Sequence, residues 1–273
     1  MSGMKVRHMD FRFSEDMDIV LVPDELEESM SSVAISLLLP YLEPYLIRTM
    51  KAAREQIADA ALEVALRQFA AQEGQHHRQH RRFNEVIRRG GFPGLAIFEE
   101  ELEADYRRFT ERRSLRFNLA YAEGFEAFTT ALARYSFELR LFDRMHGEAR
   151  DLFLWHLVEE LEHRTVAYDV YEHLFGGYVY RLSVGLYAQA HFLSWVSRVT
   201  AYLLRESPEL VERFGGVTGR RRRIAGQLRQ GARSFLPKLA RTWLPGYTPH
   251  DIDFTDAMKS VAESYTARAV RLS

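Results

Sequence analysis

The sequence predicts an all-α protein, a four-helix bundle extended by additional C-terminal helices. Two observations carry that prediction. From Asp24 onward apolar residues recur at helical spacing through long stretches free of Gly and Pro, and no repeated strand alternation appears. Stop signals then cut the chain at helix-sized intervals, with "GGFPG" at 90–94 and Gly176-Gly177 the clearest.

Taken in order, residues 1–23 mix aromatic, charged and β-branched side chains and read as an extended arm. Segment 25–57 has helical spacing, but Pro40 and Pro44 interrupt it and are expected to bend or split the helix. Segment 59–89 is the second helix, and 95–112 a shorter, highly charged connection. Ser114 is placed to cap a third long helix running to about 145, where "HGEAR" turns the chain. A fourth runs from about 148 to 174. The fifth, 178–204, is rich in Leu, Tyr, Val and Trp, and Arg181, Gln189, His191 and Arg198 break its apolar run, which argues against a membrane span. Residues 207–273 read as shorter helices, with Ser207-Pro208 as a start signal. The expected organisation is an arm (1–23), a helical bundle with an extra apolar helix (24–206) and a basic C-terminal extension packed on it (207–273).

Composition narrows the chemistry. A net charge of −1 leaves no global field directed at nucleic acid. The absence of cysteine excludes disulfides, thiolate zinc sites and cysteine nucleophiles, leaving His, Asp and Glu as strong metal ligands. The N-terminal stretch lacks the apolar core of a signal peptide, so a cytoplasmic location is expected.

Within the second helix, "QEGQHHRQH" (72–80) places Glu73, His76 and His80 within about 60° of one another on one face. His77 points a little further round and reads as a polar-face residue. A matching half lies in "WHLVEELEHRT" (155–165), where His156, Glu160 and His163 share a face. Glu73-x-x-His76 and Glu160-x-x-His163 are the two Glu-x-x-His pairs in the chain; Asp143-x-x-His146 is a carboxylate variant read as surface. Side chains three residues apart on a helix are near enough to hold one ion. Two further helices must then supply a glutamate each, as in di-iron and di-manganese carboxylate bundles. Glu43, in "LLLPYLEPYLI", fits; so do Glu123 and Glu126, one turn apart in "LAYAEGFEAFTTALA". All three lie in apolar settings, where an unpaired charge is costly. Glu43 precedes Glu73 by 30 residues and Glu126 precedes Glu160 by 34, and residues 81–113 provide the long crossover of a ferritin-like bundle. The metal ligands are therefore expected to be Glu43, Glu73, His76, Glu126, Glu160 and His163. Glu123, His80 and His156 are candidate catalytic groups, and His80 with His156 could also enlarge the site to a third ion.

With these residues placed, the chain resembles the bacterial family labelled "predicted metal-dependent hydrolase", which has a ferritin-like helical core. The resemblance runs from "VRHMDFRF" (6–13) to "WLPGYTPHDID" (243–253) and is most specific in "SLLLPYLEPYL", "FAAQEGQHHRQH", "EAFTTALA" and "WHLVEELEHRTVAYDVY". It places Glu43, Glu73, His76, His80, Glu126, His156, Glu160 and His163 on the family's polar positions. Ala127 and Thr248 depart from it, each standing where the family pattern implies a histidine.

Two enzyme chemistries follow. The first in rank is an O2-activating oxidoreductase with two metal ions, iron first and manganese or zinc as alternatives, acting on an apolar small molecule with an electron donor. The second is a hydrolase cleaving an ester or phosphate, with Glu123 as candidate base. Metal storage ranks behind both. The apolar helix 178–204 could wall a substrate tunnel, or serve as core or as a homodimer contact. Arg213 to Arg241 carries nine basic residues and no acidic one, so an anionic membrane surface is a candidate partner and nucleic acid is not.

Overall fold

The computed structural model describes residues 4–145 and 147–270; His146, and with it the Asp143-x-x-His146 pair, lies outside the described residues. Every regular element among them is helical. The α-helices are α1 (Leu26–Arg54), α2 (Ala60–Arg89), α3 (Leu95–Arg112), α4 (Leu115–Glu138), α5 (Gly147–His163), α6 (Val166–Leu174), α7 (Tyr178–Arg205), α8 (Pro208–Arg213), α9 (Gly216–Gln230), α10 (Leu236–Arg241) and α11 (Asp256–Arg268). Helices α1, α2, α4 and α5 pack pairwise around one buried core, α1 and α2 joined by a short turn and α4 and α5 by another. Charged α3 makes the crossover between the two pairs, and α7 lies along α4 and α1.

Helix α1 does not split at its prolines. Proline removes the amide that would bond the carbonyl four residues back, so Pro40 frees Ser36 O and Pro44 frees Pro40 O. Helix α2 meets the first: Asn84 Nδ2 donates to Ser36 O at 2.8 Å. The helix therefore runs on as one rod. By length and composition α1 could also cross a membrane, but most of its apolar stretch is buried inside the fold, and it serves as the central core helix.

Asp59 caps α2, accepting from Ala61 and Leu62 amides, and Ser114 caps α4 through the Phe117 amide, as its position predicts. Two helix ends fall earlier than the spacing suggests. Helix α4 stops at Glu138 because Arg140 takes a left-handed conformation (φ 51°), leading into a 3-10 turn over Leu141–Arg144. The expected helix 148–174 breaks at Arg164-Thr165. There the Arg164 guanidinium caps the Leu161 carbonyl and reaches Pro249 O and Ile252 O, clamping the C-terminal extension.

Helices α4 and α7 touch backbone to backbone. A Cβ on Gly124 would come within 2.2 Å of Gly185 Cα, so glycine is required at that crossing. The arm lies over α2 and α5, tied by Gln72 to Lys5 O and by Gln79 to Met9 O, while α11 packs on α5. In the basic segment Arg223 pairs with Glu27, Lys238 with Glu138 and Arg241 with Asp251, and most of its other cations face solvent.

Candidate metal centre

Each core helix carries its predicted donors inward. Glu43 from α1, Glu73 and His76 from α2, Glu126 from α4, and Glu160 and His163 from α5 are all almost wholly buried. His163 Nε2 lies 3.4 Å from Glu73 Oε1, 3.4 Å from Glu160 Oε1 and 3.3 Å from Glu126 Oε2. His76 Nδ1 lies 3.8 Å from both Glu73 Oε1 and Glu160 Oε1. Three sets of donors converge closely enough to share an ion: Glu73–Glu126–His163, Glu73–His76–Glu160 and Glu43–His76–His156.

Seven of the atoms facing this common space have no hydrogen-bond partner among the described residues. They are both oxygens of Glu43 and of Glu126, Glu73 Oε1, His76 Nδ1 and His163 Nε2. Buried polar atoms are rarely left unpaired, and each such atom costs about 1–3 kcal/mol. Unpaired oxygens and ring nitrogens from four helices, all turned inward, are what a bound cation would satisfy. The donor set, carboxylate and imidazole without thiolate, fits a divalent transition metal.

The opposite side of each ligand is anchored, and the anchors fix the ring tautomers. His76 Nε2 donates to Glu159 Oε2 at 3.0 Å, leaving Nδ1 bare. Glu159 is held by Arg7 at 2.8 Å and by the Trp155 indole N–H at 3.0 Å. The Gln72 amide donates to Lys5 O and to Glu162, so its oxygen must accept; His163 Nδ1 donates to it at 3.1 Å, leaving Nε2 bare. Thr129 Oγ1 donates to Glu160 Oε2 at 2.7 Å.

His80 does not hold a further ion, because both its nitrogens are engaged. Ser36 Oγ donates its only proton to Asn84 Oδ1, so it must accept from His80 Nδ1–H at 2.8 Å. His80 Nε2 then accepts from His156 Nδ1–H at 2.7 Å. The same chain turns His156 Nε2 to Glu160 Oε1, and the two hydrogen-bond at 3.0 Å through one shared proton. The histidine pair thus becomes a fixed chain ending on Glu160, and the third ion expected through His80 and His156 loses one of its two ligands.

The electrostatics follow from burial. Burial, reinforced by the Glu73 carboxylate, pushes the Glu43 carboxyl well above its usual range. Burial and Glu160 push Glu126 up to about 8. For Glu160 burial acts in the same sense but is outweighed by His163 and His156, which hold it ionised. Burial would lower His76, yet its bonds to Glu159 and Glu73 raise it to about 10, and Glu160 and Glu126 likewise raise His163. Burial, with a neighbouring imidazole in each case, keeps His80 and His156 neutral. Without a cation the cluster keeps protons on Glu43 and Glu126 and on the inward nitrogens of His76 and His163, and a bound cation must displace them before those atoms can ligate.

Glu123 stands apart from this centre. It faces α7, where Arg181 pairs with it at 2.7 Å, and burial raises it to about 7 against the pull of that arginine. A base role at the cluster is therefore not where the structure places it. Ala127 is buried against Tyr247 and Ile252, and Thr248 caps a short turn at His250, so neither departure removes a donor from the cluster as built. Sequence reasoning missed Gln72, Glu159 and Arg7. Gln72 and Glu159 each directly precede a ligand, and that adjacency is the one signal the sequence offered.

Fold and donor set together define an all-α protein with a buried carboxylate–histidine centre suited to metal ions. The chain belongs to the family described as predicted metal-dependent hydrolase, whose model matches residues 5–253. No curated protein and no solved structure matches it.

Proposed function

We propose that this protein is a metal-dependent hydrolase whose four-helix centre holds two divalent ions and directs water at an ester or phosphate bond. The observation that carries the reading is the convergence of unpaired, buried donor atoms from α1, α2, α4 and α5, in a chain whose family is described by that activity. Glu73 belongs to two of the three donor sets and is suited to bridge; Glu43, His76, Glu126, Glu160 and His163 complete the ligands. Ions there would supply an activated water and polarise the substrate oxygen.

The chain's own groups do the rest. His156 Nε2 hydrogen-bonds to Glu160 Oε1 at 3.0 Å on a ring fixed by His80, so the pair is placed to take up and hold a proton between that nitrogen and the carboxylate. Gln72, Glu159 and Thr129 hold the ligands in register. Analysis of protein purified without chelator should find close to two metal ions per chain, together with ester or phosphoester cleavage that chelator abolishes. A Glu73→Ala variant with undiminished metal content would refute the site.

The sequence places oxidation first, and the family description reverses that order. One observation still favours O2 chemistry: four glutamates and two Glu-x-x-His histidines are the donor set of di-iron and di-manganese carboxylate proteins. Iron bound with O2 uptake and no hydrolysis would select it.

A further inference from the structure

A cavity of about 260 Å³ leads from the surface to the metal centre. Its outer rim includes the exposed Arg144 and Gln230, with Glu28 paired to Arg144 at 3.0 Å. Its walls come from α1, α4, α5 and α7 and are mainly apolar: Ile35, Leu39, Phe125, Leu132, Leu157 and Phe192. Its inner end reaches His156 and Thr129. Both touch Glu160, the first through Nε2 at 3.0 Å and the second through its hydroxyl at 2.7 Å. A molecule filling the cavity therefore places one end beside the centre and its body among hydrocarbon side chains.

Charge narrows the choice further. Arg144, at the rim, is the only Lys or Arg in the wall among the described residues, and it is already paired. Ions at the inner end could meet either a phosphate or a carbonyl oxygen, but the apolar wall beyond them offers no partner for a second charged or strongly polar group and suits a hydrocarbon body. At roughly 30 Å³ per heavy atom, the volume of a water molecule in the liquid, the cavity holds about nine heavy atoms.

We propose that the substrate is a neutral carboxylic ester with an unbranched apolar chain of about eight carbons, seated in this cavity with its carbonyl beside His156 and Thr129. This rests on the hydrolase reading and narrows it. In the reaction water's oxygen bonds to the acyl carbon and the acyl C–O bond breaks. One water hydrogen leaves on the alcohol, and the other is released as the acid ionises.

The test uses the metal-loaded full chain with 4-nitrophenyl esters from acetate to palmitate, and with bis(4-nitrophenyl) phosphate. The value of kcat/KM should rise about four-fold per methylene, from the transfer free energy of a buried CH2, and level off near eight carbons. Leu132→Trp, from α4, and Ser32→Trp, from α1, each fill the cavity at a partly exposed wall position remote from the ligands. At least one that folds with full metal content should lower the octanoate-to-acetate ratio ten-fold or more. The same variant should abolish calorimetric binding of 2-decanone, an uncleavable ketone of matching length. Ester cleavage without chain-length preference, or a preference and ketone binding that both variants retain, would overturn the proposal while leaving the hydrolase reading intact. Cleavage of the phosphodiester alone would do the same. No cleavage of any substrate would overturn both.

Discussion

Glu159 offers the sharpest test of how the centre is held. It touches none of the shared donor space; its Oε2 accepts from His76 Nε2 at 3.0 Å, and its Oε1 is fixed by Arg7 and Trp155. Removing it frees the His76 ring to rotate and to adopt the other tautomer, which would put a proton on Nδ1, the atom facing Glu73 and Glu160. Partners that orient a metal-bound histidine typically contribute 10–100-fold in affinity, about 1.4–2.7 kcal/mol. Arg7 keeps its two-pronged contact with Glu162, at 2.8 and 2.7 Å, so Glu159→Ala strands no buried guanidinium. We expect metal affinity, measured by competition with a coloured chelator, to fall 10–100-fold in Glu159→Ala. The fall should be smaller in Glu159→Gln, whose amide oxygen still accepts. Metal-free thermal stability should move much less than in a core cavity variant. A loss of affinity under three-fold in the alanine variant would refute the positioning role.

The helix crossing gives a second prediction. Gly124→Ala would bring a methyl to 2.2 Å from Gly185 Cα, whereas Gly185→Ala reaches only 3.3 Å from Gly124 Cα. Overpacking costs about 1–3 kcal/mol or more, so Gly124→Ala should lower the melting temperature by several degrees and Gly185→Ala by clearly less; equal shifts would count against the crossing. The third prediction concerns pH. In the metal-free fold burial and Glu160 hold Glu126 at about 8, against 4.5 for an ordinary glutamate. Between those values the folded state keeps a proton that the unfolded chain has lost, so metal-free stability contributed by this group falls as pH rises through the window. Metal must displace the same proton, so affinity should rise from pH 6 to 8 with proton release visible by calorimetry in two buffers, and a flat profile would contradict it.

The parts of the centre that were legible in the sequence are the parts written within single helices. Glu73–His76 and Glu160–His163 are local pairs, and Glu43 and Glu126 are conspicuous because carboxylates in apolar runs need a reason. The anchors were not legible, because each contact joins distant stretches. His76 meets Glu159 across 83 residues, Arg7 meets Glu159 across 152, and His163 meets Gln72 across 91. Glu159 sits in "EELEH", where a row of charges reads as a solvated face until the fold buries it. Glu123 shows the converse: its apolar setting was read correctly as a demand for a partner, but that partner, Arg181, lay on a helix counted as packing surface.

The prolines of α1 and the surplus histidines of α2 are one feature seen from two sides. A helix with Pro40 and Pro44 is expected to break, and nine residues holding three histidines suggest more metal than six ligands need. Together they resolve each other. The carbonyl freed by Pro40 is taken by Asn84; Asn84 orients the Ser36 hydroxyl; Ser36 fixes His80; and His80 fixes His156 with its Nε2 on Glu160. An unbroken helix without proline would leave Ser36 O bonded within α1, and Asn84 would lose the partner that sets its amide. The proton positions on His80 and His156 would then be undetermined. The break in local helix chemistry at Pro40 is thus what carries order from α1, across α2, to His156 and Glu160 on α5.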